Sequence, residues 1–186
     1  GVFLKLDKAR LPNLSNLDPD IMRQVAANDP GNEHAIPYMW GTTGLGYNPA
    51  MVKKMLGTDT IDSWASVFDP TIASKLAKCG ITMLDSPEDV FEAAEIYLGN
   101  DPGNEDAAEM AATESLVTKI RPYVRSFDSN QHLNALASGD VCLSLSWSGL
   151  MLQARDRGAS ATQPVEVKYV IPREGAPLWF DTVAIP

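Results

Sequence analysis

Apolar residues return at helical spacing in four stretches, each bounded by residues that favour a helix start or stop. Asp18 and Pro19 open DPDIMRQVAAN, and Ser86 and Pro87 open SPEDVFEAAEIYLG. A cap followed by proline leaves the first helical N–H groups satisfied or absent. A third helix is predicted over Asn104 to Ile120, and a fourth from Ser129 through Leu136 with Gly139 as its stop. Short apolar runs predict strands at Ile81 to Leu84, Val141 to Trp147, Val165 to Pro172 and Trp179 to Pro186. Helix and strand signals therefore alternate, which predicts an α/β fold with a mixed or largely parallel sheet. LDKARLPNLSNLDPD, ANDPGNEHAIP and Gly99 to Asp106 are rich in turn formers and read as loops. No internal repeat or low-complexity tract interrupts the pattern.

Length and charge then narrow the classes. With 186 residues, 45% of them hydrophobic, the chain can bury one good core with a small appendage. No apolar run is long enough to span a bilayer, so no stable membrane insertion is expected. Gly1 to Arg10 also lacks the basic start, apolar centre and cleavage site of a signal peptide. Acidic residues outnumber basic ones 24 to 15, which disfavours a nucleic-acid surface and draws cationic partners. Gly1 falls in a loop-like stretch and Pro186 directly follows a strand-like one, so the chain is expected to be a piece of a longer protein.

Several kinds of chemistry fall away on inspection. GTTGLGYN (Gly41 to Asn48) is glycine-rich but matches neither a Walker loop nor GxGxxG, and reads as glycines where strands cross closely or turn. SWSGL contains no GxSxG nucleophile turn. Cys79 and Cys142 form no framework pattern, so buried thiols and a disulfide both stay open. With His34 and His132 they lack the close spacing of a zinc site, and neither metal nor cofactor is expected. Carboxylates such as Glu88, Asp89 and the distant Asp181 keep a glycosidase-like hydrolase, working through Asp89 and Asp181, as the alternative from another class. What stands out is a set of aromatics and acids: Trp40, Trp147, Trp179, Phe180, Asp89 and Asp181. Indole faces attract ammonium groups and pack along methylenes, so such a set suits a flexible aliphatic cation; the competing reading is tryptophan as core filler.

Longer segments carry a resemblance. PYMWGTTGLGYN, LDSPEDVFEAAEIYLGNDP, RPYVRSFDSNQHLNALASGDVCLSLSWSG and IPREGAPLWFDTVAIP are similar, in order, to the periplasmic polyamine-binding receptors of bacterial ABC importers, closest to the putrescine-binding branch. The resemblance implies a non-enzymatic solute-binding protein of the periplasm with a type II periplasmic-binding-protein fold. In that fold two α/β lobes close on a ligand held in their cleft and present it to the importer permease. It further implies that residues 1–41 are a first-lobe flank and hinge entry, 42–167 the second lobe, and 168–186 the hinge return with a first-lobe strand. Carried over residue by residue, Trp147 is the cleft tryptophan, Asp181 the carboxylate that holds an ammonium, and Trp179 its paired aromatic. Asp89 stands where the family usually has glutamate, with Glu88 as a second candidate acid, and Ser129 matches a polar cleft position. Cys79 and Cys142 match the family's cysteines, which implies a disulfide in an oxidising compartment. Leu150 departs from the pattern, because putrescine-type receptors have an aspartate there, and putrescine and spermidine both remain candidate ligands.

Overall fold

Four helices begin in the same way, with a side chain capping the free N–H groups and a proline at the first helical position: Asp18–Pro19, Asn48–Pro49, Asp69–Pro70 and Ser86–Pro87. The computed structural model describes residues 2–104 and 106–186. In chain order its helices are α1 (Pro19–Val25), α2 (Pro49–Leu56), α3 (Ala65–Phe68), α4 (Pro70–Leu76), α5 (Pro87–Leu98), α6 (Ala107–Ile120), α7 (His132–Ser138) and α8 (Ser148–Ala159). Its strands are β1 (Ala35–Tyr47), β2 (Ile81–Met83), β3 (Ser126–Phe127), β4 (Leu143–Trp147), β5 (Lys168–Val170) and β6 (Leu178–Ala184). Gly99 and Gly139 end α5 and α7 in the left-handed conformation, with φ of 83° and 80°, where a side chain would be strained.

The chain forms two compact units, Thr42–Pro177 and Gly1–Gly41 with Leu178–Pro186. In the larger unit the strands run in the order β3-β2-β4-β1-β5. β2 is parallel to β3 and β4, whereas β1 is antiparallel to β4 and β5, so the sheet is mixed. Alternation along each strand sorts the side chains by face. Leu45 and Tyr47 of β1 lie opposite Leu145 and Leu143 of β4, and they join Ile81, Met83, Trp64 and Phe68 in the main core. The opposite face carries Gly44, Gly46, Ser144 and Ser146. A second core packs there, with Leu133 and Leu136 of α7 and Met151 and Ala154 of α8.

The glycines make this second packing feasible. A methyl group on Gly46 would overlap the Met151 side chain, and one on Gly44 would sit 2.5 Å from the Tyr169 hydroxyl and 2.6 Å from the Val170 carbonyl oxygen. The carbonyl belongs to the β5 backbone and cannot swing away. Gly44→Ala is expected to lower stability by about 1 to 3 kcal/mol, the usual range for overpacking, read as a shift of the urea midpoint at unchanged slope.

Cys79 and Cys142 are joined in a disulfide with their Cα atoms 5.5 Å apart. The thiol alternative therefore falls. In the smaller unit, Asp29 organises the turn into β1. Its carboxylate accepts from the backbone N–H of His34 at 2.8 Å and of Ala35 at 2.9 Å, and contacts the His34 ring at 3.1 Å. The His34 backbone bond is the main cause that brings its pKa down to about 2. β6 pairs β1.

Several elements differ from their sequence expectations. The segment containing ANDPGNEHAIP and GTTGLGYN holds the longest strand, β1, because glycines on one face hide its period-two pattern. The helices α2, α3, α4 and α8 lie in stretches for which no helix is predicted. The strand expected over Val165 to Pro172 shortens to β5. Residues 168–177 cluster with the larger unit, where β5 pairs β1 and the next turn docks just before α3. There Ser63 Oγ donates to Glu174 at 2.5 Å and Trp64 Nε1 donates to the Gly175 carbonyl at 2.8 Å.

Candidate ligand-binding site

In the larger unit, β1 and β4 place Thr43 directly opposite Trp147. Both project from the face that carries the main core, and the first turn of α5 brings Asp89 to them. Ser86 caps that helix and donates its hydroxyl back to Asp89 Oδ2 at 2.8 Å. Thr43 Oγ1 donates to Asp89 Oδ1 at 2.5 Å. The indole Nε1–H of Trp147 points between the two carboxylate oxygens, at 3.2 and 3.1 Å. Asp89 and Trp147 are both half-buried, so a carboxylate and the N–H edge of an indole meet at a partly dry surface. Acids on α5 add negative field. Burial first, then the charges of Asp89, Glu95 and Glu88, push the Glu92 carboxyl above its ordinary range.

Ser129 is half-buried and its hydroxyl accepts from the Asp85 backbone N–H at 2.9 Å. Glu88 is exposed in the first turn of α5, with Ser86 Oγ 3.4 Å from its carboxylate. Leu150 is half-buried, packed against the second core beneath α7 and α8. Trp179 and Asp181 belong to β6 in the smaller unit, two residues apart and therefore on one face of that strand. Asp181 is exposed, whereas the Trp179 Nε1 atom is buried and has no hydrogen-bond partner among the described residues. Phe180 and Thr182 face the other way and line a groove of about 740 Å³ with Phe3, Asn28, His34 and Leu178. Trp40 is 57% exposed on β1.

Sequence reasoning missed Thr43 and saw Ser86 only as a cap. For Ser86 a signal existed, since Ser-x-x-Asp at a helix start resembles a capping box. For Thr43 none did, because its partner is 46 residues away. Among the described residues no helix is long and apolar enough to cross a membrane.

The larger unit is a mixed α/β unit that bears a carboxylate and an indole on one surface. Residues 1–186 match the model of the bacterial extracellular solute-binding proteins, and the chain belongs to that family. It is 49% identical over 187 residues to the putrescine-binding periplasmic protein SpuD of Pseudomonas aeruginosa (strain UCBPP-PA14). It is 44% identical over 188 residues to the putrescine-binding periplasmic protein PotF of Escherichia coli (strain K12). Each match covers 100% of this chain and 51% of the relative, so the chain spans about half the length of the curated relatives it matches. Among solved structures, the spermidine/putrescine ABC transporter substrate-binding protein PotD from Streptococcus pneumoniae superposes with a TM-score of 0.80 at 24% identity, over 99% of this chain and 51% of that one. The TpPotD lipoprotein of Treponema pallidum gives 0.80 at 22%, over 99% and 54%. The fold is that of the type II periplasmic binding proteins.

Proposed function

We propose that the protein is the solute receptor of a bacterial polyamine importer: it captures putrescine or spermidine in the periplasm and delivers it to an ABC permease. The observation that carries this reading is the Asp89–Trp147 contact, a carboxylate held against an indole, in a chain whose relatives are named for putrescine binding. The proposed ligand-binding residues are Trp147, Asp89, Ser129 and Glu88 in the larger unit, with Trp179 and Asp181 in the smaller. Carboxylates neutralise the ammonium groups and the indoles cover the methylenes between them. Leu150 leaves an apolar side chain where a putrescine-type receptor has an acid, which favours a ligand that places methylenes there. Spermidine in a shifted register is one such ligand. A hydrolase working through Asp89 and Asp181 has no support from relatives that are named as binding proteins.

Calorimetry tests this on the receptor at the length of its relatives, titrated with putrescine, spermidine, spermine and 1,4-butanediol. The amines are expected to bind and the diol to give no heat. Asp181→Asn is expected to weaken every polyamine by about 10- to 100-fold, the range of a lost charge-assisted hydrogen bond. Equal binding of diol and diamine, or unchanged affinity in Asp181→Asn, would refute the assignment.

A further inference from the structure

Three donors already converge on the Asp89 carboxylate. A carboxylate offers about four lone-pair sites, two on each oxygen. Oδ1 accepts from Thr43 Oγ1 at 2.5 Å and from the indole at 3.2 Å, while Oδ2 accepts from Ser86 Oγ at 2.8 Å and from the same indole at 3.1 Å. An incoming ammonium would have to compete with these three donors to pair with Asp89 directly. Each donor is also fixed by its own element. Ser86 is the α5 cap, Thr43 is held in the β1–β4 register, and Trp147 ends β4 immediately before α8. At the far side of the contact, an indole N–H that donates to a full negative charge makes its ring richer in electrons. That strengthens the attraction of the ring face for a cation.

We propose that Asp89 acts on a cationic ligand through Trp147. It is a positioning residue that locks and polarises the indole; Thr43 and Ser86 hold it in place, and the ring face of Trp147 receives the cation. The proposal rests on the polyamine-receptor reading and changes the role of one residue within it. Thr43 thereby becomes part of the binding apparatus without touching the ligand, a role for which neither its residue type nor its sequence neighbours give a sign.

Two measurements decide it. In spectra of protein labelled at the tryptophan indole nitrogens, the Trp147 resonance is identified by its loss in Trp147→Phe. It is expected downfield in the wild type and to move upfield in Asp89→Leu and, by a smaller step, in Thr43→Val. Thr43→Ser keeps the donor and should restore the wild-type position. An indole resonance indifferent to Asp89→Leu overturns the contact. The second measurement is a double-mutant cycle on polyamine affinity in the full-length receptor. Asp89→Leu is expected to weaken putrescine and spermidine about tenfold in the wild-type background and less than about twofold in Trp147→Phe, where a ring remains but no N–H does. A tenfold loss that persists in Trp147→Phe would show that Asp89 pairs the ammonium directly and would overturn the proposal. Equal affinities for Thr43→Val and Thr43→Ser would remove Thr43 from it. A wild-type receptor that binds no polyamine would instead overturn the receptor reading, and the spectra would still decide the Asp89–Trp147 contact.

Discussion

A Cys79→Ala/Cys142→Ala double variant is expected to lose about 4 kcal/mol of stability, by the chain-entropy relation for a crosslink that closes a long loop. The two cysteines are 63 residues apart, so cutting the bridge frees much of the unfolded chain. The native consequence is local and structural. Cys79 lies just before β2 and Cys142 just before β4, and the parallel register of these strands begins immediately afterwards at Ile81 and Leu143. The backbone N–H of Cys142 also donates to the Gly80 carbonyl at 3.1 Å. The bridge therefore clamps the start of the central strand pair. Denaturant unfolding of the wild type and the double variant measures the loss, and thiol titration of denatured, unreduced wild type should find no free thiol. A loss below about 1 kcal/mol would mean that the unfolded chain is already constrained without the bridge.

Trp64→Ala should have an effect of similar size, a loss of about 3 to 5 kcal/mol, as for other large aromatic residues removed from a packed interior. Trp64 is fully buried, packs against Phe68 with ring centroids 6.1 Å apart, and donates its indole N–H to the Gly175 carbonyl. Truncation leaves both a cavity and an unpaired carbonyl. Because Gly175 lies in the turn after β5, amide exchange in residues 173–176 should accelerate more than exchange in β2. Trp64→Phe, which fills most of the volume but donates nothing, should lose less. Uniform acceleration throughout the larger unit would show that this turn has no special dependence on Trp64.

Trp64 also shows where the sequence was legible and where it was not. The candidate aromatics Trp147 and Trp179 stood in strand-like runs, whereas Trp64 lies in DSWASVFDP, which carries no periodic pattern long enough to mark a helix. The helices α1, α5 and α6 were readable because a capping side chain opens each periodic stretch, and α7 because Gly139 stops one; a side chain that satisfies free N–H groups is a local event written in neighbouring residues. Strands β2 and β4 were readable from short apolar runs. β1 was not, because its identity depends on what packs over Gly44 and Gly46, and those partners are Tyr169, Met151 and Leu136, far along the chain. At the site the difference is the same. Asp89 and Trp147 came from residue type and family resemblance, but the bond between them is long-range, and so is the Thr43 hydroxyl that completes it. Asp89 is one methylene shorter than the glutamate that the resemblance implies, and the structure gives that shorter side chain three donors of its own.

The two-faced character of β1 has a consequence for how the chain avoids misfolding. Sliding β1 by one residue against β4 would exchange its faces, turning Leu45 and Tyr47 towards α7 and α8 and the glycines towards the main core. A leucine or tyrosine cannot occupy a space in which a single methyl group already overlaps Met151. The slipped pairing would leave holes on one side of the sheet and collisions on the other. Gly44 and Gly46 therefore act as a proofreading key: their missing side chains let only the correct alignment close, and the same alignment sets Thr43 opposite Trp147.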